Sequence, residues 1–506
     1  MISRVNHLTS SISLPDITTK TPATGSFICI RGSLVTAVKT LITVSLMIIL
    51  SACDTPTSLE KIQKQQTLHV ITRNSPSVYF EGRDGPMGFE YELAKLFANE
   101  MDLKLDVKVA STRSQILSAL DNDYTNIAIA GMVASEARAD RYQYSSAYME
   151  TTPIVVYRYG NKRPRSISDL IGKRVAVVSD SYHQEELQNL TTGSPELANH
   201  LEWQSLDVET IDLMKRIEDK EIDYAIITSS DLEIHQAYYP RVKKAFEIGK
   251  TQQISWYFPG TTDHTLINAV NNFFSRIEDD GTLLDLKERY FGHLGQLNYV
   301  GARTYIKHIN QRLPKYEELF KKYSDEHNVD WRLMASMGYQ ESHWRARAVS
   351  PTGVRGLMML TRPTAKEMGI KNRLDPEASI KGGIAYFAKI KARIPDQILE
   401  PDRTWLAMAA YNVGYGHLED ARILTEKAGK DPNKWVDVKN FLPLLQKKKY
   451  YKQTRYGYAR GNEPVIYVQN IRRYYDVLTW MTQPQIDEQA IAQSELENGL
   501  IKILPE

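Results

Sequence analysis

The chain has 506 residues, with 63 Lys and Arg against 61 Asp and Glu and a formal net charge of +2. That balance gives no electrostatic footprint for nucleic acid, and with only two cysteines, Cys29 and Cys53, a disulfide-built fold is excluded. CxxC, HExxH and nucleotide-loop signatures are absent, so neither a metal nor an organic cofactor is implied.

Residues 1–32 are polar and rich in Ser and Thr, whereas Leu34 to Leu50 is mostly apolar, broken by Lys39. A span this short followed by small residues fits a signal h-region better than a membrane helix, with an uncleaved signal anchor as the alternative. The box Leu50-Ser51-Ala52-Cys53 is similar to a lipoprotein cleavage site. It would leave Cys53 as the lipidated first residue of the mature chain, anchored by acyl chains. Either way the bulk of the chain is expected on the periplasmic side. Asp54 resembles an inner-membrane retention signal, so both membranes stay open. Residues 54–65 read as a linker.

From Thr67 short β-rich runs alternate with helical patterns: Leu68 to Thr72, the helix Glu90 to Met101, Leu103 to Val109, Arg113 to Leu120, then Ile127 to Ala130. This βαβ rhythm implies a sheet with helices on its faces. The pattern restarts at Arg174 to Val178 and at Tyr224 to Thr228, which predicts two lobes within residues 66–296.

Further along the chain several segments read as helices. Met334, Met337, Gly338 and Glu341 fall at i, i+3, i+4 and i+7, so a helix places the Glu341 carboxylate on an apolar face. Desolvation there raises its pKa, as a proton donor near neutral pH requires. A helix-end charge reaching solvent is the commoner reading of an isolated Glu, but three further segments favour catalysis. The glycine-spaced run Gly353 to Leu360 allows close backbone approach to a ligand. Trp405 to Gly414 reads as a helix closing on Tyr411-Asn412 and a glycine cap. Tyr467, Ile471, Tyr474 and Leu478 share a face of the helix after Pro464, turning the Tyr467 ring inward with a hydroxyl that needs a partner. Asp375 and Glu377 open a helix at Pro376 and read as dipole partners. Lys447 to Lys449 with Tyr450 and Tyr451 form a basic-aromatic patch, and the tail 483–506 is acidic, then apolar.

Glu341-Ser342, Gly356-Leu-Met-Met-Leu360, Ala410-Tyr411-Asn412 and Tyr467 occur in the order of the family 1 lytic transglycosylase domain, which this region resembles over about residues 302 to 482. Many relatives carry Gln where Met359 stands. The resemblance implies an all-α, goose-lysozyme-like fold and action on peptidoglycan glycan strands. Glu341 would be the sole acid and base, cleaving the bond between N-acetylmuramic acid and N-acetylglucosamine with closure of a 1,6-anhydro ring. Ser342, Gly356, Met358, Met359, Tyr411, Asn412 and Tyr467 would bind substrate, Tyr467 or Asn412 bonding either the N-acetyl group or the carboxylate. Aromatic faces such as Trp344, Tyr411 and Tyr458 could stack on sugars. Ordinary glycosidases need a second carboxylate, and none stands in these motifs. A hydrolytic muramidase and a non-catalytic murein-binding sensor are the competing classes.

Gly88 to Leu93, Ser135-Glu-Ala-Arg138, Asp169 to Val175 and Asp280 to Gly292 resemble the family 3 periplasmic solute-binding proteins, over about residues 66 to 296. The resemblance implies a two-lobed α/β domain, regulatory and not catalytic. In relatives that bind amino acids, the arginine matching Arg138 clamps the ligand carboxylate, which suits its planar fork. A surface arginine beside Glu136 and Arg141 is the alternative. Where those relatives hold an amino group with aspartate, this chain has Thr228. An amino acid or muropeptide fragment is the expected effector. Membrane-bound relatives that join these two domains suggest the outer membrane.

Overall fold

The computed structural model describes residues 56–482 apart from 83–84, 123, 262, 295–298 and 351–352. The expectations for the leader, including Cys53, and for the tail lie outside the described residues. The described residues from Ser58 onward form one compact unit. No described helix is long and apolar enough to cross a membrane.

The α/β half has two lobes. A six-stranded sheet carries Lys104–Ala110, Thr67–Arg73, Ile127–Val133, Gln252–Pro259 and Tyr142–Tyr144 in that order, with Met149–Thr151 also on Gln252–Pro259. Thr67–Arg73 runs parallel to Lys104–Ala110 because the Phe89–Glu100 helix crosses between them. Ile127–Val133 is apolar almost throughout and buried at six of seven positions, as a strand covered on both faces must be. The second lobe is a five-stranded sheet, Trp203–Leu206, Val175–Val178, Tyr224–Thr228, Pro153–Arg158 and Val242–Glu247. The chain enters it at Pro153 and returns at Gln252. Each lobe has its own apolar cores.

One boundary differs from the sequence reading. Ser58–Gln65, taken with its neighbours as linker, is a helix, and Ile62, 1% exposed, joins the core of the first lobe. Two apolar side chains, Leu59 and Ile62, in so short a stretch gave no visible period, yet packing them on the core holds the helix on the domain.

The other half is all helical, around a core that includes Phe320, Met334, Met337, Trp344, Met358, Phe387 and Trp435. The Trp331–Ser342 helix starts where Asp330 accepts a hydrogen bond from the Arg332 amide and packs against Glu317–Glu326 and Asn462–Met481. It ends at His343 and Trp344, both with positive φ, 51° and 54°. That left-handed turn drops Trp344 into the core, 2% exposed, with its Nε1 donating to the Ala335 carbonyl at 2.8 Å. Trp344 is therefore a core residue and offers no face to a sugar.

The two halves are sewn together by charge. Arg472 donates to the Glu288 and Arg289 carbonyls at 3.1 and 2.5 Å, and Lys439 pairs with Glu288 at 2.5 Å. His293 bonds Asp476, and Lys434 pairs with Asp285.

Candidate active site

Three elements converge on Glu341. It occupies the last turn of the Trp331–Ser342 helix, one side of which is lined by the fully buried Met334 and Met337. From the long Asn462–Met481 helix, the Tyr467 hydroxyl donates to Glu341 Oε1 at 2.6 Å. Tyr411 comes from the Asp402–Val413 helix, which Gly414 caps with φ 92°. Burial pushes the Glu341 pKa up to about 7, against the opposing pull of the Tyr467 hydrogen bond. Neither a second carboxylate nor a cation contributes to that rise. The Tyr467 and Tyr411 hydroxyls are themselves held far above the ordinary phenol range, by burial first and by the Glu341 charge second. Both therefore remain protonated donors.

The glycine-spaced loop does a different job from the one its sequence suggests. Gly356 has φ 90°, and a Cβ there would lie 1.8 Å from the Arg373 carbonyl oxygen, so glycine permits the close approach of two backbone segments, not of a ligand. Met358 is fully buried in the helical core. Its amide donates to Ser379 Oγ at 3.1 Å, and its carbonyl accepts from Tyr411 at 3.0 Å. Ser342, 7% exposed, donates to the Gly338 and Leu357 carbonyls at 3.1 and 2.8 Å. Gly356, Met358 and Ser342 thus fix the loop beside Glu341, with the Met358 side chain in the core and the Ser342 hydroxyl engaged by backbone carbonyls. Met359 is partly exposed with φ 48°, and Asn412 is exposed. Ser379 was missed, because a serine inside a helix carries no spacing signal.

Asp375 caps the Pro376–Arg393 helix by accepting from the Ala378 amide at 2.8 Å, and Glu377 accepts from the Tyr323 hydroxyl at 2.6 Å. Both are structural, as their positions at a helix start implied.

In the α/β half, Arg138 and Thr228 line one small cavity between the lobes, about 10 Å³. Space of that size holds about one water. Arg138 Nε lies 2.5 Å from Glu185 Oε1, and Ser135 bonds the other oxygen of the same carboxylate. Arg73 of the first lobe meets Glu209 of the second at 2.6 Å, and Ser114 donates to Asp180 at 2.7 Å. Thr228 Oγ1 accepts from the Asp231 amide at 2.9 Å, capping the Ser229–His235 helix. Glu185 was not foreseen: in Gln184-Glu185-Glu186 it reads as one more charge on a solvated helix.

Residues 68–293 match the bacterial extracellular solute-binding proteins, family 3, and residues 318–434 match the transglycosylase SLT domain. Tyr467 lies beyond that second range, so the fold alone places it at Glu341. Among solved structures, a mutant of the arginine-binding protein ArgBP from T. maritima is similar over 46% of this chain and 99% of its own, at 20% identity and a TM-score of 0.42. A membrane-bound lytic murein transglycosylase F of Hahella chejuensis is 53% identical over 91% of this chain and 90% of its own. The protein of that name from Pseudomonas fluorescens is 47% identical over 90% and 94%. Similarity at that level runs through both halves and the junction between them: the chain belongs to the membrane-bound lytic murein transglycosylase F family, which cleaves peptidoglycan as a lyase.

Proposed function

We propose that Glu341 is the sole acid and base of this lytic transglycosylase. One observation carries the assignment: a carboxyl raised to about 7 by burial, bonded at 2.6 Å by the Tyr467 hydroxyl. At neutral pH a substantial fraction is protonated and can donate to the glycosidic oxygen as the bond to C1 of N-acetylmuramic acid breaks. The carboxylate left behind then accepts the proton of the muramic acid C6 hydroxyl as that oxygen closes on C1. The proton lost to the leaving group is regained, no water is consumed, and the product ends in a 1,6-anhydro ring. Tyr467 stabilises the charged carboxylate between the two steps. Tyr411, beside the carboxylate, and the partly exposed Met359 and exposed Asn412 are assigned to the glycan path.

The α/β half is assigned a regulatory role, binding a small effector with a carboxylate, an amino acid or muropeptide fragment, that would displace Glu185 from Arg138. Lipidation at Cys53 and residence at the outer membrane complete the reading, in line with relatives named as membrane-bound.

The test is digestion of purified sacculi by the wild type and by Glu341→Gln, with products weighed by mass spectrometry. Anhydro-muropeptides from the wild type alone are expected. Products heavier by one water would mean a muramidase, and equal activity of the variant would remove Glu341 from the chemistry.

A further inference from the structure

A cavity of about 350 Å³ opens where the two lobes and the helical domain meet, far larger than the space beside Arg138. Its walls are mostly apolar and come from all three parts: Phe80 from the first lobe, Ala237 and Tyr238 from the second, Trp405, Arg472 and Trp480 from the helical domain. Tyr238 and Trp480 meet ring to ring at 5.9 Å. Pockets that hold small organic ligands start near this size and share this composition, an apolar lining with a few directed polar groups.

The cation on its walls with an unsatisfied donor is Arg472. It is 4% exposed, and its guanidinium lies 4.0 Å from the Trp405 ring centroid. Nη2 is used on the Glu288 and Arg289 carbonyls, but Nη1 has no hydrogen-bond partner among the described residues. A buried unpaired N–H of a cation is costly, and a ligand oxygen would relieve it. The other charges on the walls are already engaged or reach solvent. Glu92 pairs with Arg289, Glu400 with Lys391, and Asp476 with His293, while Arg473 donates to the His293 carbonyl. Glu233 is exposed.

We propose that this junction is a binding site for a small amphipathic anion, with a flat aromatic or short aliphatic body between the ring walls and one carboxylate on Arg472. The occupant would touch all three parts of the chain at once. It is distinct from the cleft at Arg138 and does not depend on the catalytic role of Glu341.

Calorimetry on the compact unit from Ser58 onward tests this with 2-naphthoate and its neutral relative 2-naphthamide. The carboxylate is expected to bind about tenfold to a hundredfold more tightly, the difference that a charge-assisted hydrogen bond supplies, and to raise the melting temperature. Arg472→Met should erase that preference. Because Arg472 also ties two backbone carbonyls, Ala237→Trp provides a second variant, filling the cavity without altering charge, and should abolish binding while the circular dichroism spectrum stays native. Absence of binding by wild type, equal affinity for the two compounds, or unchanged binding by Ala237→Trp would each overturn the proposal.

Discussion

Glu185 Oε1 lies 2.5 Å from Arg138 Nε, so a carboxylate of the second lobe fills the place at Arg138 that an effector carboxylate would need. With Arg73 on Glu209 and Ser114 on Asp180, the lobes are latched by the protein's own side chains, and about 10 Å³ is left between them. Glu185→Ala should loosen the latch. Small-angle scattering in dilute salt is expected to show a larger radius of gyration for the variant, and amides of the Tyr182–Thr192 helix should exchange faster. Identical scattering and exchange would mean that the pair holds nothing.

Tyr467→Phe removes the 2.6 Å bond to Glu341 and little else. A hydrogen bond to a charged group contributes about 1.5–3 kcal/mol, so turnover should fall about tenfold to a hundredfold. The bond also depresses the Glu341 pKa. Its loss should therefore move the alkaline limb of the pH–rate profile upward. A slower enzyme with an unmoved limb would make Tyr467 a packing residue.

Activity of the wild type should decline as pH rises through about 7, since the donor form of Glu341 is lost there. Stability carries the same signature. The native pKa stands above the ordinary 4.5, so from pH 4.5 to 7 the unfolded chain ionises while the folded one stays protonated, and folding stability falls across that window. The interval corresponds to as much as about 3 kcal/mol. Glu341→Gln escapes this cost, so in urea titrations its advantage over wild type should be small at pH 4 and full at pH 8. An advantage equal at both values would show that burial does not charge-penalise Glu341.

Gly356→Ala is expected to destabilise the helical domain by more than about 3 kcal/mol, because it combines a positive φ with a Cβ set against the Arg373 carbonyl. Activity should be lost with it, as the same loop carries the Met358 carbonyl that Tyr411 bonds. A variant that melts with the wild type would refute the close approach.

Periodicity was enough to read the two-lobed rhythm, the Trp331–Ser342 helix and the apolar face that ends at Glu341, because each is written at spacings of two or three to four residues. Tyr467 could be read as inward-facing with a hydroxyl in need of a partner for the same reason. The resemblance left its partner open between the substrate N-acetyl group and the carboxylate, since 126 positions separate it from Glu341 and only the packing of two helices closes that distance. The same limit hid how other residues of the motifs pack. Gly356, Ser342, Met358 and Trp344 stand in or beside the motifs, but whether a residue beside a catalytic group faces substrate or core depends on what packs behind it, here Arg373, Leu357, Gly383 and Ala335. Glu185 and Arg472 are ordinary surface-type residues by sequence. Tertiary structure alone sets one against Arg138 across a cleft and buries the other in a junction of three bodies, because pairing between distant charges is decided by where the folded backbone carries them.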